Sequence, residues 1–159
     1  PKAAARDAQA EFPSDSIIKM AELGLMGMMI PQEWGGSGLD TLTYVLALEE
    51  VAVACASTAV TMSVNNSLYC GPLLKFGTEN QKKKHLRAFA TGEKLGAYAL
   101  SEPGTGSDAA NQKTTAKKVG NTYILNGRKN FITNGPHADA IVVYAMTAPE
   151  KKHKEFRRC

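Results

Sequence analysis

The residues whose types and spacing most directly suggest chemistry lie in the stretch YALSEPGTGSD, residues 98–108. Inside it, GTGSDA fits the G-x-G-x-x-G/A pattern of a dinucleotide-binding loop, whose glycines let the backbone approach a pyrophosphate. That fingerprint requires its third small residue to open a helix. Here Ala109 is followed by ANQKTTAKKVGNTY, which is rich in Thr and alternates as a strand does. The pattern therefore argues against a classical nicotinamide site.

The same loop could still hold a phosphate group through its backbone. Gly104 and Gly106 free the backbone to turn amides toward an anion, and the Ser107 hydroxyl adds a donor. Glu102 and Asp108 flank the loop, so side-chain charge would not neutralise the phosphate. The alternative is a polar turn in which Asp108 caps its own backbone. Residue chemistry alone favours the polar turn and leaves the phosphate site open.

The other titratable side chains do not form a catalytic set. Glu102 is the obvious carboxylate of the motif, but beside Pro103 it is as compatible with a structural role as with that of a base. His85 lies on a charged segment and His137 follows a turn, and neither has a visible partner. We therefore assign no catalytic residue.

The three cysteines lack the spacing of a metal site, and we expect no metal. Cys55 and Cys70 are interpreted as small core residues of a protein in a reducing compartment. The third, Cys159, is the last residue.

Residues up to about Gly92 have the pattern of helices. Ser14 is expected to cap a first helix with Ile17 and Ile18 on its buried face. A long helix is expected from Leu39 or Asp40, close-packed on several sides because its apolar and small residues lie on most faces. We expect Asn65–Asn66 to interrupt it. TENQ, residues 78–81, has the form of a capping box that opens a later helix.

After Gly92 the hydrophobic period changes to that of strands. LGAYALS, KTTAKKV, TYILN and AIVVYAM are strand-like, and turns are expected at Gly120–Asn121 and, as a tight hairpin, at Asn126–Gly127. The predicted fold is therefore α+β, with an N-terminal helical domain over 1–93 and an incomplete antiparallel β domain over 94–154. The charged tail 155–159 shows no strand pattern, and the chain is expected to be a fragment.

Composition places the chain among soluble globular proteins. Of its 159 residues 43% are hydrophobic and 21% charged, and the net charge is +4. The lysine run at 82–84 is typical of a solvated face, and no aromatic residues interleave with basic ones in a nucleic-acid-binding pattern, so no nucleic-acid partner is expected. No apolar run reaches membrane-spanning length and none resembles a signal peptide.

Four ordered segments resemble the acyl-CoA dehydrogenases, flavoproteins that desaturate acyl-CoA thioesters. They are LGLMGMMIPQEWGGSGLD, LLKFGTENQKKKHL, YALSEPGTGSDAANQKTTA and YILNGRKNFITNGPHADAIVVYA, and the resemblance covers roughly residues 14–152. One departure stands out, because the usual Trp-Ile-Thr-Asn is Phe131-Ile132-Thr133-Asn134 here. Phe131 keeps an aromatic surface but lacks the indole N–H. The segment TMSVNNSLYCGPL resembles members that act on short acyl chains.

The resemblance implies an oxidoreductase that binds FAD and serves fatty acid or amino acid catabolism. In the family a glutamate removes the acyl α-proton while the β-hydrogen leaves as hydride to flavin N5. That glutamate lies in a C-terminal bundle, so this chain alone is expected to bind FAD poorly and to be inactive. The implied partners are acyl-CoA, an electron-transferring flavoprotein and further copies of the full-length protein. The implied location is the cytoplasm of a bacterium or the mitochondrial matrix of a eukaryote.

Carried over by position, two segments would contact the cofactor. Ser101 would hydrogen-bond the pyrimidine edge of the flavin, Thr133 would bond near N5, and Gly106 and Ser107 would approach the pyrophosphate. Tyr98 and Ser107 would also contact the substrate. The full set of implied cofactor contacts is Tyr98, Ala99, Leu100, Ser101, Gly106, Ser107, Phe131, Ile132 and Thr133.

Two alternatives stay open. An acyl-CoA oxidase-type flavoenzyme would pass its electrons to oxygen and release hydrogen peroxide. A binding or scaffold protein could have kept the helical and β modules without catalysis, because the bundle that carries the base is not in these residues.

Overall fold

A computed structural model of the chain describes residues 2–149 and the backbone of 156–158. Seven α-helical segments come first and five strands follow, which confirms the α+β class. The helices are α1 Ala3–Gln9, α2 Ser14–Glu22, α3 Thr41–Ala54, α4 Ala56–Ser63, α5 Gly71–Phe76, α6 Glu79–Gln81 and α7 Arg87–Ala90. The strands are β1 Gly96–Ala99, β2 Thr115–Val119, β3 Thr122–Asn126, β4 Ala140–Met146 and β5 Phe156–Arg158.

Short helical turns of other kinds join these elements. Three-residue 3₁₀ turns occur at Leu25–Gly27, Gln32–Trp34, Ala109–Asn111 and Gly135–His137, and π-helical turns occur at Val64–Cys70 and Lys82–Leu86. In the part of the chain that the structure describes, no helix has the length and apolarity needed to cross a membrane.

The start of α2 differs from the prediction. Ser14 is the first helical residue rather than the cap, and the N-cap position is held by Pro13 without a side-chain hydrogen bond. Ile17 is buried as expected, but Ile18 is exposed and Met20 takes its place in the core. The capping box is confirmed, since the Thr78 and Gln81 side chains each accept a hydrogen bond from the other's backbone amide.

The predicted long helix is interrupted at Cys55, where the backbone is extended with φ −164° and ψ 104°. The expectation of close packing on several sides is wrong for α3, in which Tyr44 is the buried side chain. Apolar side chains on α3, such as Leu42 and Val53, are exposed. The sequence pattern could not separate a helix surrounded by neighbours from one with exposed apolar faces, since both lack amphipathic periodicity.

The predicted interruption at Asn65–Asn66 is wrong, because the helix continues through both residues as a π-helical turn. Asn65 is fully buried. Its Nδ2 donates to the carbonyls of Met26 and Phe89 at 2.8 and 2.9 Å, and its Oδ1 accepts from the Gly96 amide at 2.8 Å. These long-range partners satisfy the amide that would otherwise compete with the helix backbone.

The sheet is mixed, which corrects the expectation of an antiparallel meander. Its order is β1-β4-β2-β3, with β5 also on β4. β1 pairs with β4 in parallel, and β2 has one parallel pair with β4. β2 and β3 form an antiparallel hairpin across Gly120–Asn121, as predicted. The parallel pairing was not anticipated because residues 127–139 return to the sheet without forming a strand.

The hairpin predicted at Asn126–Gly127 is wrong. β3 ends at Asn126, and residues 128–133 form no strand against it. They are tied instead to the segment after β1, since the Asn130 amide donates to the Ser101 carbonyl at 2.9 Å. The hydrogen bond to Ser101, which lies 29 residues before Asn130, thus outweighs the local turn signal at Asn126–Gly127.

The tail also departs from expectation. Residues 156–158 form strand β5, which pairs antiparallel with β4, although their sequence shows no strand pattern. Main-chain hydrogen bonds to a sheet edge do not depend on alternating side chains. The remaining tail residues, 155 and 159, lie outside the described part of the chain.

Two buried clusters hold the elements together. The first includes Met26, Tyr44 and Met62, and the second includes Tyr69, Leu86 and Phe89. Cys70 belongs to the second and is fully buried, as expected. The second cluster also contacts Ala140 and Val142 of β4 and so joins helices to sheet.

Candidate functional site

Two of the predicted segments meet at one cavity of about 230 Å³. β1 and the residues after it form one side, and the loop 131–133 forms another. The third side comes from the π-helical turn at Val64–Cys70. The lining residues are Val64, Leu68, Tyr98, Leu100, Ser101, Phe131, Ile132 and Thr133.

The backbone brings these segments into register directly beside the cavity. The hydrogen bond from the Asn130 amide to the Ser101 carbonyl joins the two segments one residue before Phe131. Phe131 itself has φ 55°, in the left-handed region that side chains other than Gly, Asn and Asp rarely adopt. The residue is 94% exposed. The loop therefore presents a bare aromatic surface at the mouth of the cavity, without packing to hold the ring.

A buried polar network lies behind the two segments. The Lys129 ammonium donates to the Leu100 carbonyl at 2.9 Å, to Glu102 Oε1 at 2.9 Å and to Gln112 Oε1 at 3.1 Å. The Gln112 amide also donates to the Leu100 carbonyl at 3.0 Å. The Glu102 carboxylate accepts from the backbone amides of Lys113 and Thr114 at 2.6 and 2.9 Å.

This network assigns Glu102 a structural role. Its burial disfavours the charged form and opposes ionisation, but the hydrogen bonds from Thr114, Lys113 and Lys129 outweigh burial and lower the pKa of Glu102 to about 2. Both carboxylate oxygens already accept hydrogen bonds. Such a carboxylate is a poor proton acceptor near neutral pH.

Three predicted contacts lie outside the cavity. Ala99 alternates with Tyr98 on β1, so its side chain faces the core and is 4% exposed. Gly106 and Ser107 are exposed in the loop that follows the Glu102–Thr105 bridge. A Cβ built at Gly104 or Gly106 would meet no atom within 4 Å, so the loop has room for a ligand but no close-fitting cradle in this chain.

The segment after Ala109 agrees with the exclusion of a nicotinamide fingerprint. A single 3₁₀ turn, Ala109–Asn111, follows the glycines, and the chain then runs into β2. A three-residue turn has too few aligned amides to act as the helix terminus that the fingerprint requires. Asp108 accepts a hydrogen bond from the Asn111 side chain, and the Asn111 amide donates to the Asp108 carbonyl at 3.0 Å.

A second, larger cavity of about 860 Å³ shares Thr133 with the first. Its walls come from α1, the start of α4 and the turn at Asn134–His137. The His137 ring stacks on Phe12 with centroids 4.0 Å apart. Cys55 lines this cavity and is half-buried, which corrects its assignment to the core. The Thr58 hydroxyl donates to Cys55 Sγ at 3.2 Å and lowers the pKa of the thiol.

Two lining residues, Val64 and Leu68, were not predicted from the sequence. They lie four residues apart on a helical segment and so share a face, which periodicity alone could have shown. What the sequence did not show is that this face meets β1. Within residues 2–149, no cluster of three or more His, Cys, Asp or Glu side chains is arranged to hold a metal ion.

Comparisons with known proteins place the chain beside one group of enzymes. The family model for the acyl-CoA dehydrogenase N-terminal domain matches residues 1–93, and the model for the middle domain matches residues 97–159. The chain is 51% identical over 154 residues to the mitochondrial short-chain specific acyl-CoA dehydrogenase of Mus musculus. That match covers 97% of this chain and 37% of the mouse protein.

Two solved structures of other proteins are also similar to this chain. Butyryl-CoA dehydrogenase from Megasphaera elsdenii superposes with a TM-score of 0.94 at 41% identity, over 99% of this chain and 42% of that protein. PigA, solved with FAD and proline, superposes with a TM-score of 0.90 at 31% identity, again over 99% of this chain and 42% of the other.

Proposed function

The chain belongs to the acyl-CoA dehydrogenase family, and we propose that the cavity between β1 and residues 131–133 is part of the flavin site of an FAD-dependent acyl-CoA dehydrogenase. The observation that carries the proposal is the convergence of two segments on one cavity in a chain of this family. Six of the nine residues expected to contact the cofactor line that cavity.

The lining residues have the chemistry that a flavin ring requires. The ring is flat and aromatic with a polar edge, so it needs apolar surface on its faces and hydrogen-bonding groups at its rim. The exposed Phe131 ring supplies an aromatic surface, with Leu100 and Ile132 beside it. The hydroxyls of Ser101 and Thr133 supply polar groups for the rim and for the position near N5.

The reaction we propose is the α,β-desaturation of an acyl-CoA thioester. FAD, when bound, supplies the acceptor for the hydride that leaves the β-carbon. This chain would orient the reacting groups: Tyr98 would contact the acyl part, and Ser107 would reach the CoA part and, with Gly106, the pyrophosphate. Because the network lowers the pKa of Glu102 to about 2 and occupies both of its carboxylate oxygens, we do not propose it as the base that removes the α-proton. An electron-transferring flavoprotein is the electron acceptor that we propose.

We further propose a short acyl chain as the substrate. Val64 and Leu68 project from the π-helical turn and close one side of a cavity of about 230 Å³. Both residues belong to the segment TMSVNNSLYCGPL, whose resemblance to members that act on short acyl chains supports this choice. The names of the mouse relative and of butyryl-CoA dehydrogenase agree with that choice.

The proposal is tested by titrating FAD into the ¹⁵N-labelled 159-residue chain and following backbone amide shifts by NMR, which measures weak binding well. We expect saturable shifts at residues 98–101 and 131–133, and weaker binding by Phe131→Ala. NAD⁺ is the matched control ligand and should leave these amides unshifted. Absence of FAD-dependent shifts, or shifts confined to other regions, would show that the cavity is not a flavin site.

A further inference from the structure

We propose that Lys129 is a positioning residue that fixes the two segments of the candidate flavin site relative to each other. The identity of the ligand rests on the function proposed above, but the positioning role rests on the geometry of this chain. Lys129 precedes Phe131 by two residues and contacts the carbonyl of Leu100, which lines the opposite side of the cavity.

All three N–H donors of the Lys129 ammonium form hydrogen bonds. Its three N–H donors have three acceptors, which belong to three different parts of the chain: Leu100 after β1, Glu102 at the turn that follows, and Gln112 before β2. The Lys129 side chain is 12% exposed and that of Glu102 is 4% exposed. Removing one member of such a pair leaves the other charge without its partner in a buried place.

The shape of the network favours Lys over Arg at this position. The three acceptors surround a single nitrogen, which suits a compact ammonium with three rotatable donors. A planar guanidinium spreads its donors over a rigid fork and would need a different arrangement of acceptors. Lys129→Arg therefore keeps the charge but not the geometry.

Lys129 is the anchor nearest to the exposed tip of the loop. Phe131 is 94% exposed and has a left-handed backbone, so its own side chain contributes no packing to fix the loop. Two other hydrogen bonds join the loop to β1 and the residues after it: the Asn130 amide donates to the Ser101 carbonyl, and the Asn134 side chain donates to the Gly96 carbonyl. Without the ammonium, the Leu100 carbonyl keeps Gln112 as its donor but loses its connection to the 129–133 loop.

The test compares FAD affinity and stability in the 159-residue chain. We expect Lys129→Met and Lys129→Arg to weaken FAD binding at least tenfold, measured by the NMR titration at a temperature where circular dichroism shows the variants folded. Lys118→Met, at an exposed lysine of β2, should change affinity less than twofold. Leu86→Ala, which truncates a fully buried side chain in the helical core, should lower the melting temperature but leave affinity within threefold.

The same samples give a readout that does not need the ligand. Amide hydrogen exchange at Asn130 should be at least tenfold faster in Lys129→Met than in the wild type, and unchanged in Lys118→Met. If the wild type does not bind FAD, the proposed function fails while the exchange rate still decides the positioning role. If Lys129→Met does not fold, Gln112→Leu removes one acceptor of the network and is measured the same way. Wild-type affinity or wild-type exchange in these variants would overturn the proposal, as would an equal loss of affinity in Leu86→Ala.

Discussion

At the scale of single residues, the charge of Glu102 ties the stability of the protein to pH. The pKa of this carboxyl is lowered from 4.5 to about 2 in the folded chain. A lowered folded-state pKa contributes stability above the unfolded-state pKa, and that contribution is lost as the pH falls. The loss should therefore take place between about pH 4.5 and pH 2, and the pKa difference corresponds to about 3 kcal/mol.

We predict that Glu102→Gln lowers the free energy of unfolding at pH 7 and flattens its decrease between pH 4.5 and pH 2. Urea unfolding at several pH values, followed by circular dichroism, measures both effects. Glu93→Gln is the control, because Glu93 is exposed on the turn before β1 and should change neither quantity appreciably. An unchanged pH dependence in Glu102→Gln would show that the buried pair does not determine acid stability.

Asn65 shows at the same scale why a residue type alone can mislead. Asparagine competes with helical hydrogen bonds, so the sequence indicated an interruption. In the fold its amide reaches the carbonyls of Met26 and Phe89 and the amide of Gly96, none of which is near it in sequence. A prediction from local pattern has no access to such partners.

At the scale of elements, Gly96 of β1 lies very close to Tyr69 of the π-helical turn at Val64–Cys70. A Cβ built on Gly96 would lie 2.2 Å from Tyr69 Cγ and 2.6 Å from Tyr69 Cβ. These atoms sit at the root of the side chain, close to the helix backbone, so a rotamer change cannot move them far. The approach of strand to helix therefore requires glycine here.

We predict that Gly96→Ala destabilises the chain by about 1–3 kcal/mol, because the added methyl must push β1 away from the helix. Thermal or urea unfolding measures the change. Gly104→Ala is the matched control, since a Cβ there meets no atom within 4 Å and should change stability little. Equal stability of Gly96→Ala and the wild type would mean that β1 is not held at this distance.

For whole elements as well, features that depend on nearby residues were predictable from the sequence, and features that depend on distant residues were not. The capping box at Thr78–Gln81 was predictable because both partners lie within four residues. The hairpin across Gly120–Asn121 was predictable for the same reason. The parallel pairing of β1 with β4 joins residues about 44 positions apart, and period-2 patterning does not specify the partner of a strand.

The same difference between local and distant determinants applies to the candidate site. Family resemblance identified two segments that were expected to contact the flavin, and six of their residues line one cavity in the structure. Val64 and Leu68 were missed because their contribution depends on how the π-helical turn packs on β1. The Lys129 network was missed because its members are spread over 30 positions of the sequence.

At the scale of the whole molecule, the helical part and the sheet are joined by more than apolar packing. The Asn134 side-chain amide donates to the carbonyl of Thr61 in α4 at 3.3 Å and to that of Gly96 in β1 at 3.0 Å. Asn65 adds its bond to the Gly96 amide, and Ala140 and Val142 of β4 pack on the second cluster. With several independent connections, helices and sheet should unfold as one cooperative unit.

Asn134→Gly tests that cooperativity with little backbone cost, because Asn134 has φ 66° and glycine adopts this conformation readily. We predict a loss of about 2 kcal/mol, from two hydrogen bonds and the added freedom of the unfolded chain. Fluorescence of Trp34, the single tryptophan, reports on the helical part, and amide I infrared absorption reports on the sheet. Both midpoints should fall together, since the remaining connections still couple the two parts.

Asn121→Gly, in the exposed hairpin turn, should leave both midpoints nearly unchanged. Two separate midpoints in Asn134→Gly would show that Asn134 alone couples the helices to the sheet, and an unchanged midpoint would show that its hydrogen bonds contribute nothing to stability.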